Sequence, residues 1–370
     1  MILHLFDDEK VVNRGIALFE EALPGQNIFV VKVAGNAIHV KEGTNVFFYS
    51  QEKGFDTSIL INVDKVIIHL LNQWKIDFIL DYKVAATDIC WAVWGHDMYN
   101  SILVDMGYNI YYEPWYVISF RTILFRLLHS AGLYHPATKR KLDFIKNRIS
   151  LLNTSEEEYS IQKKYIGKFL PEKITEIPES MYYSIEDILG NDIIDKYVSG
   201  DMIMVGNSCS YSNNHLYAFK YLERLNINQK KIVVPLSYGG DTKYRNHVLR
   251  EGYKIFKNMF NPLLDFMPLN EYNNYLLNSP ICIYGHWRQE SVGNIIISLY
   301  LGAKVFLSRK SPLLSKYRRL GIYIYCLEEI TQSDIDHPLT EEQRDNNRKI
   351  LFNLCNHKSI VDGIRSTWGR

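Results

Sequence analysis

The chain lacks an excess of either charge: over 370 residues, 42 Lys and Arg face 41 Asp and Glu, a formal net charge of +1. That balance excludes a global field drawing the molecule onto nucleic acid, and leaves only local patches to weigh. No CxxC and no Cys/His pair at metal-ligand spacing occurs among Cys90, Cys209, Cys282, Cys326 and Cys355. Odd in number and scattered, they read as reduced core thiols, neither a disulfide framework nor a zinc site. The start MILHLFDDEK has no basic segment followed by a long apolar core, so it is not a signal peptide. Nor does any stretch approach the roughly 18 uncharged apolar residues of a spanning helix. A cytoplasmic location follows, with any membrane contact peripheral. Without a GxSxG elbow or a Cys/His nucleophile arrangement, hydrolase and protease readings weaken.

What is plentiful is tyrosine, 26 residues, which with 17 Phe and 6 Trp makes a disordered chain implausible. The length suits two or three domains at about 150 residues each. Apolar, β-branched or aromatic runs at 26–33, 45–50, 65–71 and 90–95 alternate with helix-like segments, a pattern of parallel strands covered on both faces. Helical periodicity follows over 115–130 and 138–148, the latter with a local charge of +4. The pattern turns polar and irregular near 150–200, with two prolines within 171–178, and α/β alternation then resumes at DMIMVGNS. Thr340 and Gln343 form a capping-box pattern before a last helix over 341–357. The fold class is therefore α/β, two doubly wound Rossmann-like units facing a cleft. Expected boundaries are 1–175, 176–340 and a C-terminal segment 341–370 returning to the first domain.

Open α/β sheets bind ligands beyond the carboxyl ends of their strands, and five such places carry chemistry. Gly206, Asn207 and Ser208 form a polar turn before a helix, where amide groups and the helix N-terminus suit an anion. Ser237, Tyr238, Gly239 and Gly240 precede the basic Lys243, which suits phosphate. His286, Arg288, Gln289 and Glu290 stand before a helix starting near Ser291, with Gly293 and Asn294 in its first turn; Glu290 suits ribose hydroxyls and Arg288 a diphosphate. The turn Phe266, Met267, Pro268 and Leu269 could offer main-chain groups to a flat base. In the first domain, WGHDMYN places His96 and Asp97 at a strand end, where a carboxylate among aromatics can act as a base. Each place has a plainer reading beside it: a tight turn, an ion pair, a packed histidine or a helix cap. Asp334 and Asp336 form the lone DxD pair and read as a solvated loop, so no metal is expected.

WGHDMYN, VGNSCSYSNNH, VPLSYGG and HWRQESVGNIIISLYLGAKVFLS occur in the order and approximate spacing found in bacterial TDP-N-acetylfucosamine:lipid II N-acetylfucosaminyltransferases of enterobacterial common antigen synthesis, which the chain resembles from end to end. Asn13 and Arg14 are similar to a family position near the first strand. The resemblance implies an inverting, metal-independent glycosyltransferase of the GT-B type, with acceptor mostly on the first domain and sugar nucleotide mostly on the second. It implies Asp97 as base, with His96 as substitute; Arg288, Lys243 and the amides near 206–208 and 291–294 as diphosphate stabilisers; Glu290 and 266–269 at ribose and base. Implied partners are a dTDP-sugar and a polyprenyl-diphosphate-linked glycan, without nucleic acid or cofactor.

A lipid acceptor gives meaning to the aromatic and apolar run 111–128 and the cations Lys139, Arg140, Lys141, Lys146 and Arg148, which suit the inner face of the plasma membrane. Two departures from the family pattern, His96 where a small residue is common and the bulky CSYS, bear on donor or acceptor preference. Nucleotide-sugar epimerases and polysaccharide pyruvyl transferases share the architecture, and a noncatalytic sugar-nucleotide sensor is a further alternative.

Overall fold

Continuous apolar runs build the first sheet because each strand is covered on both faces. In the computed structural model, which describes residues 1–50, 55–176, 181–227 and 230–369, these runs become β1 (Ile2–Asp7), β2 (Asn27–Lys32), β3 (Val46–Tyr49), β4 (Lys65–His69), β5 (Asp88–Ala92), β6 (Leu151–Asn153) and β7 (Ile174–Thr175). All are parallel, in the order β3-β2-β1-β4-β5-β6-β7. The second sheet contains β8 (Ile203–Val205), β9 (Ile232–Pro235), β10 (Phe260–Leu263), β11 (Ile281–Tyr284), β12 (Lys304–Leu307) and β13 (Tyr325–Cys326). It is also parallel, in the order β10-β9-β8-β11-β12-β13. Each order reverses once, between β1 and β4 and between β8 and β11, and a reversal opens a crevice at the strand ends.

The chain divides into one unit of residues 1–108, 121–184 and 357–370, and a second of 109–120 and 185–356. These limits differ from the expected 175/176 and 340/341, and 177–180, just past the first of these, lie outside the described residues. The difference at the C-terminus has a local cause. Asn356 is extended, so the expected single helix is two, Glu341–Cys355 and His357–Trp368. The first buries Leu351 and Cys355 in the second unit, against a core that includes Tyr300, Leu301 and Ile324. The last buries Ile360, Val361, Ile364 and Trp368 with Val12, Leu18 and Phe19 of the helix Val12–Ala22. Arg365 Nε donates to the Ala22 carbonyl and Lys65 Nζ to that of Trp368, fastening this helix to the first unit.

Smaller differences follow from local geometry. The helix expected over 115–130 is a 3₁₀ turn, Pro114–Tyr116, and a helix, Phe120–Ser130. KIF at 254–256 ends the helix Thr242–Phe256, and the strand starts only at Phe260; its Pro262 is tolerated because β10 is an edge strand. All five cysteines are buried and outside any disulfide.

The first core also encloses polar groups. Lys75 is fully buried, and its ammonium donates to Asp7 Oδ2 (2.6 Å) and to the carbonyls of His69 (2.5 Å) and Leu70 (2.9 Å). Burial lowers its pKa and the Asp7 carboxylate opposes that shift. His4 lies between His69 Nε2 and Asn27 Oδ1, each 3.1 Å away. Burial pushes His4 down to about 3 and His69 well below its ordinary value of 6.5. Buried His215 of the second unit is likewise lowered to about 3. The unfolded chain therefore binds more protons than the folded one below pH 6.5, and stability falls as pH drops from there toward 3. The expected slope is about 1.4 kcal/mol per pH unit for each such histidine. Urea unfolding at pH 7.5, 6 and 5 checks this; stability flat across that range contradicts the buried neutral state.

Candidate active site at the strand ends

The reversal between β8 and β11 brings two of the sequence-marked turns together. Gly206 leaves β8 with φ +72°, and a Cβ there would lie 2.7 Å from Asn213 Oδ1 and 2.9 Å from His215 Nε2. Only glycine meets both demands, positive φ and a close neighbour. Asn213 is the organiser: its Oδ1 accepts from the Asn207 amide (2.9 Å), and its Nδ2 reaches Ser208 Oγ (3.1 Å) and Glu290 Oε1 (3.4 Å). From the other turn, the Ser291 hydroxyl donates to Asn207 Oδ1 (2.5 Å), and His286 Nε2 stands 3.3 Å from the same hydroxyl. Burial pushes the His286 imidazole down to about 4, with Glu290 opposing, so it is neutral at pH 7. Its Nδ1 is buried without a hydrogen-bond partner among the described residues.

Arg288, expected at a diphosphate, forms the ion pair with Glu290 that was its plainer reading, buried rather than at the surface. It is 6 % exposed, and its guanidinium pairs with Glu290 Oε2 (3.1 Å) and bonds the Gln289 carbonyl (2.7 Å). Ser291, in left-handed conformation, leads into the helix Val292–Tyr300 without a side-chain cap. The first-turn amides at Val292, Gly293 and Asn294 thus have no intrahelical acceptor and no cap from Ser291, and these residues are half-buried.

The β9 turn interlocks with the β8 turn. The Cys209 amide donates to the Tyr238 carbonyl (2.7 Å), and Asn207 Nδ2 to the Tyr238 hydroxyl (3.3 Å). A Cβ on Gly239 would lie 2.6 Å from Ser210 Oγ. Ser237 is half-buried beside them. Lys243 is exposed in the first turn of the helix Thr242–Phe256, its ammonium 5.2 Å from the Tyr116 ring centroid. Beyond β10, Phe266 and Leu269 are exposed and Met267 half-buried, a solvent-facing turn.

In the first unit, Asp97 begins the π-helical turn His96–Leu103 and is 2 % exposed. Its Oδ2 accepts from the Leu71 amide (2.8 Å) and Trp91 Nε1 (2.7 Å), its Oδ1 from the Trp94 amide (3.0 Å). Burial raises its pKa and these donors oppose the shift. The carboxylate expected to serve as base is therefore an inward tie across the ends of β4 and β5, while its neighbour His96 is exposed. Gly95, at φ +85°, makes the turn that precedes both.

The remaining positions separate. Asn13 donates to the His39 carbonyl (2.5 Å) and accepts from the Lys41 amide (2.9 Å), so it pins a loop; Arg14 is exposed. Of the basic run, Lys139 is exposed and Arg140 pairs with Asp77 (2.6 Å). Lys141 turns inward to Ser101 Oγ (3.1 Å), its pKa lowered by burial. Asp334 caps the helix Gln332–Asp336 and pairs with Lys304, and no group of three or more potential metal ligands occurs among the described residues. Asn213 and Tyr182 were not singled out from the sequence. For Asn213 the signal was present, one of three asparagines in a motif already rich in turn formers; for Tyr182 there was none.

Two doubly wound parallel sheets, each with one strand-order reversal, define the class of the fold, the GT-B type. Solved structures agree on the fold. Sucrose-phosphate synthase from Thermosynechococcus elongatus superposes with a TM-score of 0.62 at 9 % identity, covering 100 % of this chain and 98 % of that one. The α,α-trehalose 6-phosphate synthase from Burkholderia multivorans gives 0.60 at 11 %, covering 100 % and 99 %. HepE from Anabaena, in complex with UDP and glucose, gives 0.59 at 11 %, again covering 100 % and 99 %. Residues 177–359 match the family described as 4-alpha-L-fucosyltransferase, glycosyl transferase group 56. Over that segment the chain is similar to this family, and the protein is a glycosyltransferase.

Gly206→Ala tests the crowding at the β8 turn. A left-handed alanine costs about 1–2 kcal/mol before any displacement of Asn213, so a stability loss of about 1–3 kcal/mol is expected in urea unfolding. An unchanged midpoint would mean that the turn relaxes without cost.

Proposed function

We propose that the protein is an inverting, metal-independent transferase that moves a deoxyamino sugar of the N-acetylfucosamine kind from a dTDP-sugar to a polyprenyl-diphosphate-linked saccharide in surface glycan synthesis. The observation that carries this is the joining of the 206–208 and 286–291 turns beside the free N-terminus of Val292–Tyr300, within the segment that matches the fucosyltransferase family. Helix N-terminal amides and nearby cations stabilise a leaving diphosphate. The nucleotide complex of HepE, a relative in fold, supports a nucleotide-sugar donor.

In a single displacement the acceptor oxygen bonds to the anomeric carbon as the bond from that carbon to the diphosphate oxygen breaks, and the acceptor proton passes to a base. The Ser208 amide and those of 292–294, with Lys243, take the charge of the departing diphosphate, while the amides of Gly206 and Asn207 are held by Ile283 and Asn213. Glu290, held by Arg288 and Asn213, lies at the ribose, and the open turn 266–269 at the base. Exposed His96 takes the proton, while Asp97, its carboxylate occupied by three N–H donors, holds the turn in shape.

Calorimetric titration with dTDP and with UDP, in EDTA and then with magnesium, is the first test; tight EDTA-insensitive dTDP binding is expected, and binding of neither nucleotide overturns the proposal. His96→Ala should lower kcat by about 10²–10⁴-fold with dTDP affinity kept. Asp97→Asn should instead lower stability by about 1–3 kcal/mol, because a buried N–H donor loses its acceptor. Full turnover in His96→Ala removes the histidine from the role.

The acceptor reading extends to the membrane face. The helix Phe120–Ser130 exposes Ile123, Leu124, Leu127 and Leu128, an i, i+1, i+4, i+5 stripe, and Leu133 lies exposed beyond it. Beside the next helix, Pro136–Arg148, a cleft of about 550 Å³ is lined by Leu80, Tyr134, Phe144, Lys139, Arg140 and Arg148. No helix among the described residues is long and apolar enough to cross a membrane. An apolar stripe beside cations suits insertion at an anionic lipid surface from the cytoplasmic side. Leu124→Glu with Leu127→Glu should abolish flotation with vesicles containing anionic lipid, and Lys139→Glu with Lys146→Glu should weaken it at low salt. Flotation unaffected by both pairs counts against this face.

A further inference from the structure

A directed chain of hydrogen bonds crosses the first unit's core and ends at the candidate acceptor turn. Asn27 Nδ2 donates to the Leu23 carbonyl (2.8 Å) and Glu20 Oε1 (2.9 Å), which leaves Asn27 Oδ1 to accept from His4 Nε2 (3.1 Å). The bond fixes the tautomer of His4, whose Nδ1 then accepts from His69 Nε2 (3.1 Å). His69 Nδ1 must in turn accept, and Tyr182 donates its hydroxyl proton to it (2.7 Å). The Tyr182 oxygen is left to accept from Trp94 Nε1 (2.7 Å). Each group has one allowed direction as long as both histidines are neutral, which their burial ensures. Gly15 leaves room for the tyrosine, since a Cβ there would lie 3.0 Å from Tyr182 Cδ1.

Buried imidazoles are a costly way to fill a core, and apolar side chains of equal volume would cost less desolvation. What the chain adds is orientation at its far end. Trp94 is half-buried at the end of β5, next to Gly95 and exposed His96; its N–H is committed inward and its ring packs edge-on to Tyr182, centroids 4.9 Å apart at 67°. An indole so held is a rigid, flat apolar surface with little conformational freedom left to lose on binding. We propose that Trp94 binds the saccharide of the acceptor against its indole ring, and that Tyr182, His69 and His4 are positioning residues that hold that ring. The inference rests on the acceptor reading above, and names the residue that meets the sugar.

The test is calorimetric titration of the full chain, saturated with dTDP, with a short-chain polyprenyl-diphosphate N-acetylhexosamine disaccharide, alongside dTDP alone. Trp94→Ala should weaken the disaccharide by more than about 30-fold and Tyr182→Phe by about tenfold, with dTDP affinity within about twofold of wild type in both. In turnover, Tyr182→Phe should raise the acceptor KM and leave the donor KM unchanged. Thermal unfolding of each variant separates positioning from collapse: a parallel loss of stability and of both ligands marks a merely structural role and overturns the proposal. Unchanged disaccharide affinity in either variant overturns it as well. A wild type that binds dTDP and no disaccharide sinks this inference while leaving the donor reading standing. Conversely, Trp94-dependent disaccharide binding without dTDP binding supports the inference and removes the dTDP-sugar reading.

Discussion

Parallel pairing throughout is the constraint on which the rest depends. Every strand of each sheet ends on the same edge, so the loops that follow them gather there, and where the strand order reverses two of them diverge and leave a crevice. In the second unit the reversal lies between β8 and β11, and the residues that follow these strands are Gly206 to Ser208 and Gly285 to Ser291. In the first unit it lies between β1 and β4, where Asp7 and the buried Lys75 meet. Unit-wide topology thus chooses which loops face a ligand, before any side chain is considered.

Buried polar groups then give those loops a fixed shape. Asp97 ties the ends of β4 and β5, Asn213 ties the β8 turn to Glu290, and Arg288 closes on Glu290. Asn214 adds a further tie, with Nδ2 donating to the carbonyls of Ile110 and Gly285 and Oδ1 accepting from the Tyr112 amide, so residues 109–120 join the second unit. A carboxylate or guanidinium out of water is stable only when its hydrogen bonds are satisfied, and satisfying them here fixes backbone turns as much as side chains. The same property that makes these residues good organisers makes several of them poor direct reagents: a carboxylate already accepting three N–H bonds has little capacity left for an acceptor hydroxyl.

Much of the fold was legible because its strands are short continuous apolar runs, and because capping and turn residues mark where they stop. The helix after HWRQES starts within a residue of its expected place, and the turns at 206–208 and 286–291 sit side by side as strand-end logic requires. Three things were hidden for stated physical reasons. Asp97 and Lys141 lie in motifs that read as exposed chemistry, but whether a charged side chain points out or in depends on donors and acceptors supplied by distant segments, Leu71 and Trp91 for one and Ser101 for the other. The helix that follows Asn356 begins where the expected last helix ends, and only packing on two different cores assigns the two to different units. Tyr182 gains its meaning from His69 and Trp94, 113 and 88 positions away.

By itself the sequence determined the α/β class, the parallel character of both sheets and the positions of the strand-end turns, because each is set by local patterns of apolar, turn-forming and capping residues. Tertiary structure decided the strand order, the membership of 109–120 and of 341–356, the inward commitment of Asp97, Arg288 and Lys141, and the exposure of His96. Those outcomes depend on hydrogen-bond partners and core contacts that only chain folding brings within reach.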